Sequence, residues 1–177
     1  QTRPTRDMTS TTPTAIPAPD RTARDELGRL VAASWGAAPA EHAGRSGRWL
    51  VAVDGSEGSL RAAAMAARLI ASEVRAEVDL VHVHPWLVKE AAEAELARRG
   101  WHAAAAARAL MDEAGIAWRL HVRMGEAAEE IVALAQELGS RGIAIGSHGL
   151  TATESLFLGS VAYKVVHLGK VPVLIVR

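Results

Sequence analysis

The spacing of apolar residues along this chain changes period several times, and each change marks an expected element. WLVAVD (49–54) is a short Val-rich apolar run that stops at Asp-Gly-Ser, the pattern of a buried strand. SLRAAAMAARLIAS (59–72) follows it, with Leu60, Met65 and Leu69 at helical spacing. VDLVHVH (78–84) predicts a second strand. Residues 88–114 are mostly Glu, Ala, Leu and Arg, with an unbroken run from Ala103 to Ala107, and predict one long helix that Gly115 ends. A third strand IAWRLHV (116–122), a helix EAAEEIVALAQEL (126–138) behind Gly125, and a fourth strand GIAIG (142–146) come next. A helix from Ser160 to about Leu168 and a strand VPVLIV (171–176) complete the pattern. Five strands separated by helices require parallel pairing through right-handed crossovers. The expected fold class is therefore α/β, a doubly wound five-stranded parallel sheet with helices on both faces.

The first 47 residues have a different texture. Residues 1–20 are rich in Thr and Pro and poor in large apolar side chains, so they are expected to form a flexible leader. Leu27, Leu30, Val31 and Ser34/Trp35 fall at roughly helical spacing, with Gly36 and Pro39 as a stop, and predict a short helix followed by a linker over residues 36–47. The expected organisation is thus a leader (1–20), a short helix and linker (21–47), and one domain (48–177).

Composition narrows the functional classes. With 177 residues there is room for one ordinary domain, and 49% hydrophobic with 23% charged residues suits a chain that buries a core. Lys and Arg number 20 and so do Asp and Glu, so there is no overall pull toward nucleic acid or anionic membrane. The first 48 residues hold only a small Arg surplus, too small for a basic arm. No apolar stretch is long enough for a transmembrane helix, and QTRPTRDMTSTTPTAIPAPDR has no apolar run behind its arginines, unlike a secretory signal. The absence of cysteine excludes disulfides, thiol nucleophiles and Cys-ligated zinc, and fits a reducing compartment. The expected location is cytoplasmic.

In a doubly wound sheet, ligands collect at the carboxyl ends of the strands. The loop after the fourth strand reads Gly146-Ser147-His148-Gly149, then nine residues, then Gly159-Ser160 and a helix. Glycines let backbone N–H groups turn toward an anion and let phosphate oxygens approach where a Cβ would stand. Ser160 is expected at the N-cap of the last helix, where unpaired N–H groups favour a phosphate. The same residues equally fit a tight exit from a strand and an ordinary helix cap. Asp54 ends the first strand beside Gly55-Ser56-Glu57-Gly58, where a ribose hydroxyl or a phosphate-bound magnesium needs an acceptor. Alone, it would more often accept from loop amides.

Taken together, WLVAVDGSEGS, GEAAEEIVALAQELGSRGIAIGSHG and the spacing Gly146-x2-Gly149-x9-Gly159-Ser160 resemble the universal stress protein family, in its nucleotide-binding branch. The resemblance covers about residues 48–177 and leaves the first 47 without a counterpart. It implies a Rossmann-like sheet of order 3-2-1-4-5, a homodimer, and ATP, with Mg2+, at the strand ends. Matched by position, Asp54 lies near the ribose or the magnesium and Val83 meets adenine through its backbone. Gly146, Gly149, Gly159 and Ser160 match the triphosphate and ribose motif, with Ser147 and Val161 as candidate additions. Two departures stand out: His148 where Arg is frequent, and Arg141-Gly142 in place of a common Ala-Asp.

Other signatures are absent. There is no G-x-x-x-x-G-K-[ST], G-x-G-x-x-G or G-x-S-x-G, which argues against P-loop kinases, dinucleotide dehydrogenases and α/β-hydrolases. His82 and His84 share a strand face but lack a third metal ligand, so a hydrogen-bonded core His82 and an exposed His84 are expected. The tryptophans at 35, 49, 86, 101 and 118 lack the basic interleaving of a nucleic-acid stacking surface and are expected to pack, with Trp86 placed to border an adenine pocket. The expected function is an ATP-binding stress-response module that is homodimeric through its last strand (171–176) and works with a protein partner not specified by sequence. No motif places a general base, so rapid turnover is not expected, while slow hydrolysis stays compatible. The competing reading is a nucleotide-independent dimeric interaction protein of the same fold.

Overall fold

The computed structural model describes residues 15–36, 48–73, 76–149 and 158–177. The strands are β1 (Arg21–Arg24), β2 (Leu30–Trp35), β3 (Trp49–Ala52), β4 (Glu77–His84), β5 (Ala117–Met124), β6 (Gly142–Gly146) and β7 (Val173–Val176). The helices are α1 (Glu57–Ile70), α2 (Lys89–Ala103), α3 (Ala105–Glu113), α4 (Ala127–Glu137) and α5 (Ser160–Leu168). They build one mixed sheet in the order β1-β2-β5-β4-β3-β6-β7. The five-stranded, wholly parallel expectation is corrected: β3 to β7 pair in parallel, and β1 and β2 add an antiparallel hairpin on the free side of β5.

Alternation along the strands decides which helices cover which face. Val51 and Val53 of the β3 segment, Val78 and Leu80 of β4, and Leu120 and Val122 of β5 pack under α1, α2 and α3. Leu50, Ala52, Val81, Ile143 and Ile145 point the other way and pack under α4 and α5. Ala62, Ala63 and Ala66 are fully buried in α1, and their small side chains let that helix lie close on the sheet.

The helix expected near Leu27 to Trp35 is a β-hairpin instead. Gly28 adopts φ +71°, which interrupts any helix, and Asp25 Oδ1 accepts from the amides of Leu27 (3.0 Å) and Arg29 (2.9 Å), closing a turn. Part of the expected leader is also tied down, since Ile16 packs on the core and the Trp35 indole N–H donates to the Pro17 carbonyl at 3.0 Å. Residues 1–14 of that leader and 37–47 of the linker lie outside the described residues. The long helix expected over 88–114 is two, divided at Ala104.

Arg108 of α3 lies 3.5 Å from the Trp101 ring centroid, and its guanidinium donates back to the Trp101 carbonyl at 3.1 Å across that division. Trp35, Trp101 and Trp118 pack as expected, with ring centroids 5.2 and 6.2 Å apart. Among the described residues no helix is long and apolar enough to cross a membrane.

Candidate functional site

At the carboxyl end of β3 the chain turns sharply through Gly55, φ +85°, into α1. Asp54 Oδ1 accepts from the amide (2.9 Å) and the hydroxyl (2.5 Å) of Ser56. The Ser56 hydroxyl oxygen in turn caps α1 by accepting from the Ser59 amide at 3.1 Å. The bland role weighed for Asp54, accepting from its own loop, is thus real. The carboxylate has a second edge, and a Cβ added to Gly149 would stand 2.6 Å from Asp54 Oδ2.

The loop after β6 lies against this turn. A Cβ on Gly146 would meet the Gly58 backbone at 2.7 Å, and one on Gly58 would meet the His148 carbonyl oxygen at 2.7 Å. Close approach of β6 and the first turn of α1 therefore demands glycine on both sides. Ser147 is buried, its amide donates to the Val176 carbonyl at 2.7 Å, and its hydroxyl is hydrogen-bonded to His148 Nδ1 at 3.0 Å. The Gly159 amide donates to the Ser147 carbonyl at 2.8 Å, bringing the two ends of the motif together. Residues 150–157 of the nine-residue spacing lie outside the described residues. The N-cap of α5 is Gly159, not Ser160 as expected, and no side chain caps that helix. Ser160 begins the helix proper.

These pieces surround one cavity of about 400 Å3. All eight residues singled out in the sequence, Asp54, Val83, Gly146, Ser147, Gly149, Gly159, Ser160 and Val161, line it. The structure brings them together from the ends of β3, β4 and β6 and the start of α5. Its volume falls within the range of about 300–1,000 Å3 usual for small-molecule sites, and an apolar wall with a few convergent polar groups is their usual make-up.

Sequence reading missed most of the apolar wall: Val81 and Pro85 beside Val83, and Ala127 with Ile131 of α4. The signals were present, because Val81 shares its strand face with Val83 at period two and Ala127 shares its helix face with Ile131 at i, i+4. Trp86 does not line the cavity; it is 60% exposed and covered on one side by Arg29. His82 Nδ1 lies 2.9 Å from the Val53 carbonyl, which only accepts, so that nitrogen carries the proton; burial pushes this histidine's pKa below its ordinary value. His84 is half-buried instead of exposed, with Nδ1 on the Pro85 carbonyl at 2.8 Å and Nε2 3.2 Å from an Arg99 nitrogen. Among the described residues, no three His, Asp or Glu side chains stand together as metal ligands.

The family model of the universal stress proteins matches residues 46–177. The chain belongs to the universal stress protein family. Universal stress protein YxiE of Bacillus subtilis is 32% identical over 146 residues, which span 73% of this chain and 98% of that protein. Among solved universal-stress-like folds, hypothetical protein MJ0577 superposes with a TM-score of 0.63 at 28% identity, covering 73% of this chain and 94% of that one. A universal stress protein solved in complex with cAMP superposes with a TM-score of 0.54 at 27% identity, covering 74% and 97% of the two chains. The family match begins after the hairpin, so β1 and β2 lie outside the matched residues.

Proposed function

We propose that this protein is a homodimeric, ATP-binding regulatory module of the stress response, in which nucleotide occupancy alters the dimer or its partner surface. The observation that carries this reading is the convergence of all eight motif residues on one cavity of about 400 Å3 at the strand ends. The complex of a related universal stress protein with cAMP supports an adenine nucleotide as the occupant.

In this reading the backbone amides of Ser160 and Val161, at the uncapped start of α5, take the phosphates. Gly149 leaves room for them beside Asp54, which receives the ribose hydroxyls or a phosphate-bound magnesium. Magnesium, when bound, screens the phosphate charge; with no three-ligand cluster among the described residues, it would arrive with the nucleotide. Val83 and Pro85 offer the adenine its backbone and apolar contacts. Among the described residues that line the cavity Asp54 is the one carboxylate, and it is already engaged by Ser56, which supports a binding role over rapid hydrolysis.

Calorimetric titration with ATP and magnesium, beside mass spectrometry of co-purified nucleotide, tests the reading. Gly159 has φ −61° and ψ 154°, which any residue adopts, but a Cβ there would stand 3.0 Å from the Ser147 carbonyl oxygen, so a side chain presses locally on the β6 loop as well as on the cavity. Gly159→Val is expected to weaken ATP binding about a hundredfold, a loss of roughly 3 kcal/mol, with its circular dichroism unchanged. Absence of binding heat and of co-purified nucleotide in the wild type would leave the nucleotide-independent interaction protein as the reading.

A further inference from the structure

The wall of the cavity formed by Val83 and Pro85 continues into the connection between β4 and α2, and the added hairpin grips that connection. Its tip is built around Arg29. Asp25 Oδ2 accepts from Arg29 Nε at 2.9 Å, which fixes the direction of the guanidinium. The Arg29 Nη1 then donates to the Leu87 carbonyl at 3.2 Å, and the guanidinium carbon stands 4.9 Å from the centre of the Trp86 ring. From the opposite side, Lys89 Nζ donates to the Leu27 carbonyl at 3.2 Å. The Leu87 amide donates to Met124 Sδ at 3.2 Å, and its side chain packs on the core. One residue, Trp86, separates Leu87 from Pro85, which lines the cavity.

The anchoring of the hairpin makes this grip rigid. β2 pairs antiparallel with β5, and Trp35 packs on Trp101 of α2. Arg29, in the turn immediately before β2, therefore reaches the connection from a hairpin whose second strand is fixed to the same sheet. A backbone carbonyl held by a pre-oriented guanidinium loses freedom before a ligand arrives, which lowers the cost of ordering the wall on binding.

We propose that Arg29 is a positioning residue for the cavity: it holds the Pro85–Val88 connection in place and couples the β1–β2 hairpin to nucleotide occupancy. The proposal rests on the adenine-nucleotide reading above. Coupling of this kind is reciprocal, so bound nucleotide steadies the hairpin tip by as much as the tip favours the nucleotide.

Hydrogen–deuterium exchange on the full chain, with and without ATP and magnesium, is the test, accompanied by calorimetric affinities of three variants. ATP is expected to slow exchange at residues 26–30 as well as 85–88. Arg29→Ala is expected to weaken ATP binding roughly fivefold or more and to abolish the protection of the tip. Arg29→Lys keeps a cation beside Asp25 but lacks the fork that also reaches Leu87, so it is expected to behave like Arg29→Ala while preserving the fold. Glu93→Gln removes the exposed Arg24–Glu93 ion pair between the same hairpin and α2, and its affinity is expected to stay within about twofold of wild type. A wild-type protein that binds ATP while its hairpin tip exchanges at an unchanged rate overturns this proposal alone. So does Arg29→Lys binding ATP as tightly as wild type. A wild type that binds no adenine nucleotide overturns the proposed function, and this inference with it.

Discussion

Asp79 shows how an ordinary-looking residue becomes a structural centre through its neighbours. Its side chain is 1% exposed, and it accepts from Arg48 Nε (3.0 Å), Arg119 Nε (2.7 Å) and Nη2 (2.9 Å), and His121 Nε2 (2.9 Å). Burial alone would raise its pKa, but the hydrogen bonds from His121 and Arg119 and the Arg119 charge outweigh it and bring the value down to about 2. A carboxylate lowered in the folded state contributes stability that is present above its unfolded pKa and is lost as pH falls through the folded one. Acid unfolding is therefore expected to lose about 2 kcal/mol to this group between roughly pH 4 and pH 2. Asp79→Asn is expected to lose about 3 kcal/mol at pH 7, because it removes the charge opposite part-buried Arg119 and one of the two carboxylates that hold Arg48, which keeps Glu77 at 2.6 Å. Denaturant titrations at a series of pH values check both, and a variant as stable as wild type at pH 7 refutes the second. In the sequence, Asp79 sits inside VDLVHVH with nothing to distinguish it, because its partners come from two distant segments, Arg48 just before β3 and Arg119 with His121 on β5. The motif glycines were legible for the opposite reason. Gly146 and Gly149 form one short local signal, and Gly159 follows at a fixed spacing, although the contact that explains Gly146, the Gly58 backbone, was not visible.

At the scale of elements, the β-α alternation of residues 49–176 could be read because each element buries one face, and that imposes a period on the sequence. The two failures lie where local preference and tertiary contact diverge. Leu27, Leu30, Val31 and Trp35 fit a helix only if Gly28 is ignored; in the structure Leu27 is 76% exposed at the hairpin tip, while Leu30 and Trp35 are buried. The division at Ala104 carries no sequence signal at all, since an alanine run contains no helix breaker. Gly100 within α2 is the sharper case. Propensity ranks Gly100→Ala as stabilising by about 1 kcal/mol. A Cβ at that position would stand 2.2 Å from Val122 Cγ2, on a buried contact between α2 and β5. The expected outcome is the reverse, a destabilisation of about 1–3 kcal/mol from overpacking. Chemical denaturation of Gly100→Ala, Val122→Ala and the double variant separates the effects: Val122 is fully buried and its truncation has a cost of its own, so the double variant should lose less than the sum of the two single losses if the clash is the cause.

For the whole molecule, the sheet has two edges of contrasting character. The β1 edge is four residues long, exposed throughout, carries Arg21 and Arg24, and is irregular between Ala23 and Arg24, features that discourage pairing with another chain. The β7 edge is Val-Leu-Ile-Val. Beside it, Tyr163, Val166 and Leu168 of α5 and Ile175 of β7 are exposed apolar side chains, at 58%, 46%, 45% and 37%. An apolar strand edge next to an apolar helix flank suits a self-complementary contact, in which the same patch serves both copies. By covering the free side of β5, the hairpin leaves β7 as the edge suited to pairing, which favours a closed dimer over a chain of subunits joined at both edges. Light scattering at micromolar concentration is expected to give a dimer. Ile175→Lys is expected to shift it to monomer at the same concentration. The substitution puts a charge on each copy of the pairing strand at a position open enough to leave the fold intact, so the melting transition of the separated protein should remain cooperative. A wild-type monomer, or an Ile175→Lys protein that stays dimeric, would place the contact elsewhere or remove it, and the β7 edge would then need another cover.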